Sequence, residues 1–162
     1  MNNNSYIADE SLAYVTMTTY RLMYSTLRRK FKKSGIELTP EQWGVLVLLW
    51  ERKSATQDEL ATALCVDKSS MSRVLSTMQD ADLVTRCTDP ANERKKNICA
   101  TRSSELVRER GFALAIEALE ISLEGVSPEE LENCIKVLNT VKRNLRNRKT
   151  GPANRRSMED MT

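Results

Sequence analysis

Apolar positions recur at helical spacing in six stretches of the chain. From Asp9 to about Lys33, Leu12, Val15, Thr19, Leu22, Met23, Thr26, Leu27 and Phe31 line one face. Residues 40 to 52 carry Trp43, Val45, Leu46, Val47, Leu48, Leu49 and Trp50, apolar nearly all round, which predicts a buried hub helix. Two short helices follow. The first turns Leu60 and Leu64 inward; the second turns in Met71, Val74, Leu75 and Met78. A long helix is predicted from Arg102 to about Glu124, and a last one to about Asn147 with a stripe of Leu131, Cys134, Ile135, Leu138, Val141 and Leu145. Between residues 83 and 100 the helical period is lost. Leu83 to Thr88 and Lys95 to Ala100 are expected to form two short strands around the turn residues Asp89-Pro90-Ala91-Asn92-Glu93.

Polar residues mark the ends of these elements. Thr39-Pro40-Glu41-Gln42, Thr56 with Glu59, and Ser127-Pro128-Glu129-Glu130 read as capping boxes, in which a hydroxyl accepts an amide of the first turn and the acid or amide side chain reaches back. Asp67 and Thr101 are expected N-caps. Gly35 and Gly125 end helices, and Asp82 is expected in the left-handed region where the chain leaves its helix.

The pair of short helices draws the chemistry together. With its apolar side turned in, the second leaves Lys68, Ser69, Ser70, Ser72, Arg73 and Ser76 outward, small, polar and basic. Short serines allow close approach to base edges, an arginine can pair bidentately with guanine, and the helix N-terminus favours phosphate. This is the logic of a helix-turn-helix. The hairpin behind it carries Arg94, Lys95 and Lys96 at its tip, the layout of a winged helix.

Composition narrows the alternatives. The chain has 162 residues, a net charge of +3, four cysteines and no histidine. Zinc chemistry is therefore not expected, no catalytic constellation or phosphate loop is visible, and neither a metal nor a cofactor is called for. The cysteines form no C-x-x-C pair and read as small apolar fillers, Cys134 within the core, although Cys87 and Cys99 lie where they can approach in the hairpin. With no signal peptide and no bilayer-length apolar run, a cytoplasmic protein is expected.

The domain plan is a flexible arm over residues 1–8, a dimerisation helix over 9–35, a winged helix-turn-helix over 36–100, dimerisation helices over 101–147 and a disordered tail over 148–162. The fold class is mainly α with a small β-wing. The first helix and the last two carry more apolar surface than the central domain can cover, so pairing with a second copy is expected. That would set two recognition helices on half-sites roughly 34–36 Å apart.

At this point the chain resembles the MarR family of winged helix-turn-helix transcription regulators, over about residues 10–147. The resemblance rests on Leu38-Thr39-Pro40-Glu41-Gln42-Trp43, Gln57-Asp58-Glu59-Leu60-Ala61, Val66 through Leu75, Leu83-Val84-Thr85-Arg86, and Asp89-Pro90 through Arg94. It implies a homodimeric repressor, released from double-stranded DNA by a small-molecule effector. It implies major-groove roles for Ser69, Ser70 and Arg73 and a minor-groove role for Arg94, where narrow-groove potential attracts a cation. Three departures stand out. Cys65 replaces a usual turn glycine, which strains the turn. Asn92-Glu93-Arg94 replaces Asp-x-Arg, which weakens the wing. Ala100-Thr101 replaces Leu-Thr, which thins the packing below it.

Effectors in such families sit between the dimer helices and the DNA-binding domain, which makes Tyr20, Tyr24 and Trp43 the ligand candidates. Two other readings stay open: a thiol-based oxidant sensor, although the first helix holds no cysteine, and a protein-interaction module that has lost DNA binding. An enzyme is not expected.

Overall fold

A computed structural model describes residues 11–89 and 92–150. The arm expected over residues 1–8 and the side chains of Arg94 and Lys95 lie outside the described residues; of the tail expected over 148–162, residues 148–150 belong instead to a helix and the rest lies outside the described residues. The chain divides into two units, Met1–Ser122 and Leu123–Thr162.

In the first unit the elements run α1 (Leu12–Lys33), α2 (Pro40–Arg52), β1 (Ser54–Ala55), α3 (Gln57–Leu64), α4 (Lys68–Asp80), β2 (Val84–Asp89), β3 (Asn92–Ala100), α5 (Arg102–Glu105) and α6 (Arg108–Ser122). The mainly helical fold with a small wing is as the sequence predicts. Both capping boxes of this unit form: Thr39 Oγ1 accepts from the Gln42 amide and Thr56 Oγ1 from the Glu59 amide, each answered by the reciprocal bond.

The core is built around α2. Val45, Leu46 and Leu49 are buried with Phe31 of α1, Leu60 of α3, Met71, Leu75 and Met78 of α4, and Val84 and Ile98 of the sheet. Trp43 fills the gap toward α6, edge-on to Phe31, Trp50 and Phe112 with ring centroids 5.0–5.4 Å away. Edge-to-face packing of this kind holds each ring through its neighbours.

Two elements depart from the sequence expectation. The hairpin is a three-stranded antiparallel sheet of order β1-β3-β2, because Ser54 and Ala55 pair with Cys99 and Ile98. A two-residue strand has no period for a sequence to show. The long helix expected from Arg102 to Glu124 is broken: α5 is a single turn capped by Thr101, and α6 begins at Arg108. α1 and α6 then lie together, tied by Lys30 Nζ to Glu117 Oε2 at 2.7 Å. Their remaining apolar side chains face outward, among them Leu22 at 69 % and Ile121 at 59 % exposure.

The second unit holds α7 (Pro128–Thr150). Ser127 and Glu130 close its capping box. Ile135, Val137, Leu138 and Leu145 are exposed on it, and so is Cys134, where core packing was expected.

Candidate nucleic-acid interface

The geometry of α3 and α4 follows from three local devices. Leu60 and Ala61 bury one face of α3 against the core. The turn after it is made by Cys65 at φ 56°, ψ 35°, whose backbone N–H reaches Ala61 and Thr62. An L residue pays for that left-handed conformation, which confirms the strain expected where glycine is usual. Asp67 then caps α4, accepting from the Ser70 amide at 2.8 Å.

Asp67 does more than cap. Ser69 Oγ donates to its Oδ1 at 2.5 Å and Ser70 Oγ to its Oδ2 at 2.7 Å. The Ser69 and Ser70 hydroxyls, followed by the Ser70 amide, hold the carboxyl well below the usual carboxylate range. Both serine protons are thereby committed, and what the two hydroxyls still offer outward is acceptor capacity.

Met71, Leu75 and Met78 anchor the inner face of α4, so its outer face is fixed by helical period. Ser72, Arg73 and Ser76 are exposed on it. Arg73 has no carboxylate partner among the described residues, so its guanidinium fork is open. Lys68 is different: its Nζ pairs with Asp58 Oδ2 of α3 at 2.8 Å. Glu59 closes the cap of α3, as the sequence predicts, and its neighbour Asp58 ties α3 to α4. The signal for it was an acid and a lysine facing each other across the turn, ten residues apart.

The wing stands on a fixed root. Asp82 adopts φ 54° as expected, and its N–H reaches the Gln79 carbonyl. Thr101 Oγ1 donates to the Asp82 carbonyl and Ser103 Oγ to Asp82 Oδ2, both at 2.5 Å. From there β2 and β3 pair regularly, Val84 with Ala100 up to Thr88 with Lys96, and the register shifts between Thr88 and Asp89. Lys96 is exposed on the last regular rung; the side chains of Arg94 and Lys95 beyond it are not described. Cys87 and Cys99 are joined by a disulfide with Cα atoms 6.1 Å apart, so these two are not the apolar fillers expected.

A second feature lies between α1, the start of α2 and α6. An apolar cavity of about 330 Å³ is lined by Tyr20, Met23, Tyr24 and Leu27 on one side and Ala115, Ala118 and Leu119 on the other. Tyr24 Oη donates to Glu41 Oε2 at 2.9 Å, and partial burial together with that carboxylate raises the Tyr24 phenol above its ordinary range. Tyr20 and Tyr24 thus reach the cavity. Trp43 does not line it and sits in the aromatic cluster beneath. The α6 contribution was not legible in the sequence, because Ala115 and Ala118 carry no polar or aromatic group that points to a ligand.

The described residues contain no cluster of three or more metal-ligating side chains, and no helix among them is long and apolar enough to cross a membrane.

Comparison with known proteins gives the same answer from several sides. A family model described as "MarR family" matches residues 38–96, from the residue before the α2 cap to the wing. An organic hydroperoxide resistance transcriptional regulator of Bacillus subtilis is 26 % identical over 125 residues, 74 % of this chain and 84 % of its own. Among solved structures, transcriptional regulator PA3341 is 27 % identical with a TM-score of 0.74, over 85 % of this chain and 99 % of that one. Bordetella bronchiseptica BpsR, whose DNA binding is described as regulated by 6-hydroxynicotinic acid, shares the fold at 19 % identity and a TM-score of 0.75, over 86 % of this chain and 98 % of its own.

Proposed function

Because the chain belongs to the MarR family of transcriptional regulators through its winged-helix domain, we propose that it is a homodimeric, sequence-specific repressor released from its operator by a small molecule. The observation that carries this is the outer face of α4. An open arginine and a row of serines stand on a helix held from behind by three buried side chains. Arg73 reads bases, Ser69, Ser70 and Ser72 admit the helix to the major groove, Arg94 enters the minor groove, and Lys68, Lys95 and Lys96 meet phosphates.

The exposed apolar faces of α1, α6 and α7 support a dimer, since water-facing leucines and isoleucines on three helices are what a partner copy would cover. Two recognition helices then meet half-sites about 34–36 Å apart. The cavity between α1 and α6 is the effector site in this reading, with Tyr20 and Tyr24 as its aromatic wall. Such a protein works in the cytoplasm, where its operator is.

The test is enrichment of duplexes from a random pool, followed by fluorescence anisotropy across a range of salt. The expected result is a pseudo-palindromic operator preferred over scrambled duplex by about a thousandfold or more, with a steep salt slope. Equal, weak binding to both duplexes would refute the reading.

A further inference from the structure

The register of the wing places two cysteines on one face. Cys87 pairs with Asn97 and Cys99 with Thr85, so Cys87 and Cys99 are diagonal neighbours across β2 and β3. Ile98 and Val84 point the other way, into the core. Ser54 of β1 lies beside Cys99 on the cysteine face, and Asn97 Nδ2 donates to Ser54 Oγ across the sheet. Both cysteines are half-buried, within reach of a small oxidant and a small thiol.

Their position along the wing matters as much. Below them the root is held by Thr101 N–H to the Leu83 carbonyl and by the Thr101 and Ser103 bonds to Asp82. Above them the register breaks between Thr88 and Asp89, one residue beyond Cys87. The cross-link therefore spans the rungs from Thr85–Cys99 to Cys87–Asn97, one rung short of the last regular pair before the basic tip, where an antiparallel ribbon frays most easily.

We propose that Cys87 and Cys99 are a reversible thiol–disulfide pair that sets the order of the wing, and through it the affinity for DNA. The proposal rests on the DNA-binding reading above. In a reducing compartment such a bond is a transient, sensing one rather than a structural staple. The oxidant is a hydroperoxide. One cysteine sulfur attacks its terminal oxygen, the O–O bond breaks, and the leaving oxygen takes a proton to depart as alcohol, or as water from hydrogen peroxide. The other cysteine sulfur attacks the resulting sulfenic acid, the S–S bond forms, and water leaves. Two thiols are oxidised by two electrons and one peroxide is reduced by two. A dithiol reverses the step by exchange.

The oxidised form is the tight binder. A wing cross-linked next to its last regular rung has already lost the freedom that a reduced wing must give up on DNA. The expected gain is about fivefold in affinity, mostly in the dissociation rate.

The experiment uses the full chain treated with tert-butyl hydroperoxide or with dithiothreitol. The mass of the proteolytic fragments reports whether the pair is joined, by the loss of two hydrogens, independently of DNA. Anisotropy against the selected duplex reports affinity. Tighter binding of the oxidised chain, with Cys87→Ser and Cys99→Ser indifferent to both reagents, supports the proposal. Failure of the peroxide to join the pair overturns it. So does equal operator binding in both redox states, which leaves the DNA-binding reading intact. No preference for any duplex in either state overturns both.

Discussion

Gly111 of α6 lies directly against the six-membered ring of the Trp43 indole. A Cβ at position 111 would fall into the ring, on Cζ3 and 2.7 Å from Cη2. The ring is hemmed in, because Phe31, Trp50 and Phe112 pack around it with centroids 5.0–5.4 Å away. Overpacking of this kind costs about 1–3 kcal/mol, and alanine returns about 1 kcal/mol through its better helix propensity. Gly111→Ala should therefore destabilise the fold by about 1 kcal/mol net, seen as a lower urea midpoint at unchanged slope. An unchanged midpoint would mean that α6 can shift off α2 freely.

Arg73 and Arg94 should fail differently. Arg73→Ala should cost about 1–3 kcal/mol of operator binding and relax preference at one base position in each half-site. Arg94→Ala should weaken binding more evenly across sequences. Anisotropy on a panel of single-base operator variants separates the two, and identical profiles for both variants and the parent would refute the assignment.

Asp58 engages the Lys68 ammonium that the proposed function turns toward phosphate. Both side chains are well exposed, so the ion pair contributes little to folding, and Asp58→Asn should leave the urea midpoint nearly unchanged. It should strengthen binding to operator and scrambled duplex alike and steepen the logarithmic salt slope by up to about 0.9, the share of one added phosphate contact. A slope unchanged from the parent would show that Lys68 does not reach a phosphate.

The Asp67 carboxyl is held low in the folded chain by the Ser69 and Ser70 hydroxyls and the Ser70 amide. A carboxyl depressed on folding contributes stability that is complete above its ordinary range and lost as pH falls toward the folded value. The stability gap between the parent and Asp67→Ala should therefore be full at neutral pH and close progressively below about pH 4. Urea titrations of both chains across that range check the sign; a gap that widens on acidification would contradict it.

Cys65 occupies a conformation that glycine adopts freely. Cys65→Gly should stabilise the fold by about 0.5 kcal/mol, the relief of left-handed strain less the extra freedom of glycine in the unfolded chain. Thermal unfolding monitored by circular dichroism would show it, and a loss of stability would mean that the Cys65 side chain contributes packing beyond its contact with the Thr62 carbonyl.

The sequence made plain what is written in local chemistry. Thr39, Thr56, Asp67 and Thr101 announced helix starts through their own hydroxyls and carboxyl, and Asp82 announced its turn. Met71, Leu75 and Met78 fixed the inner face of α4, and with it which residues must face out. Hidden from it was whatever depends on a partner distant in the chain. Ser54 and Ala55 are a strand only because β3 runs beside them. The break at Leu106 and Val107 interrupts a stretch whose composition is helical throughout; α5 is tied to the wing root through Thr101 and Ser103, and α6 to α1 through Glu117. Asp58 needed Lys68, and Cys87 needed the register of β3, before either had a part to play.

The bonds at Asp82 carry one more consequence. A single residue receives the end of α4 through the Gln79 carbonyl, begins the approach to β2, and holds the start of α5 through Thr101 and Ser103. α4 and the wing therefore share one joint, and neither can be re-aimed without carrying the other. In the proposed complex their separation works as a fixed gauge laid against the duplex.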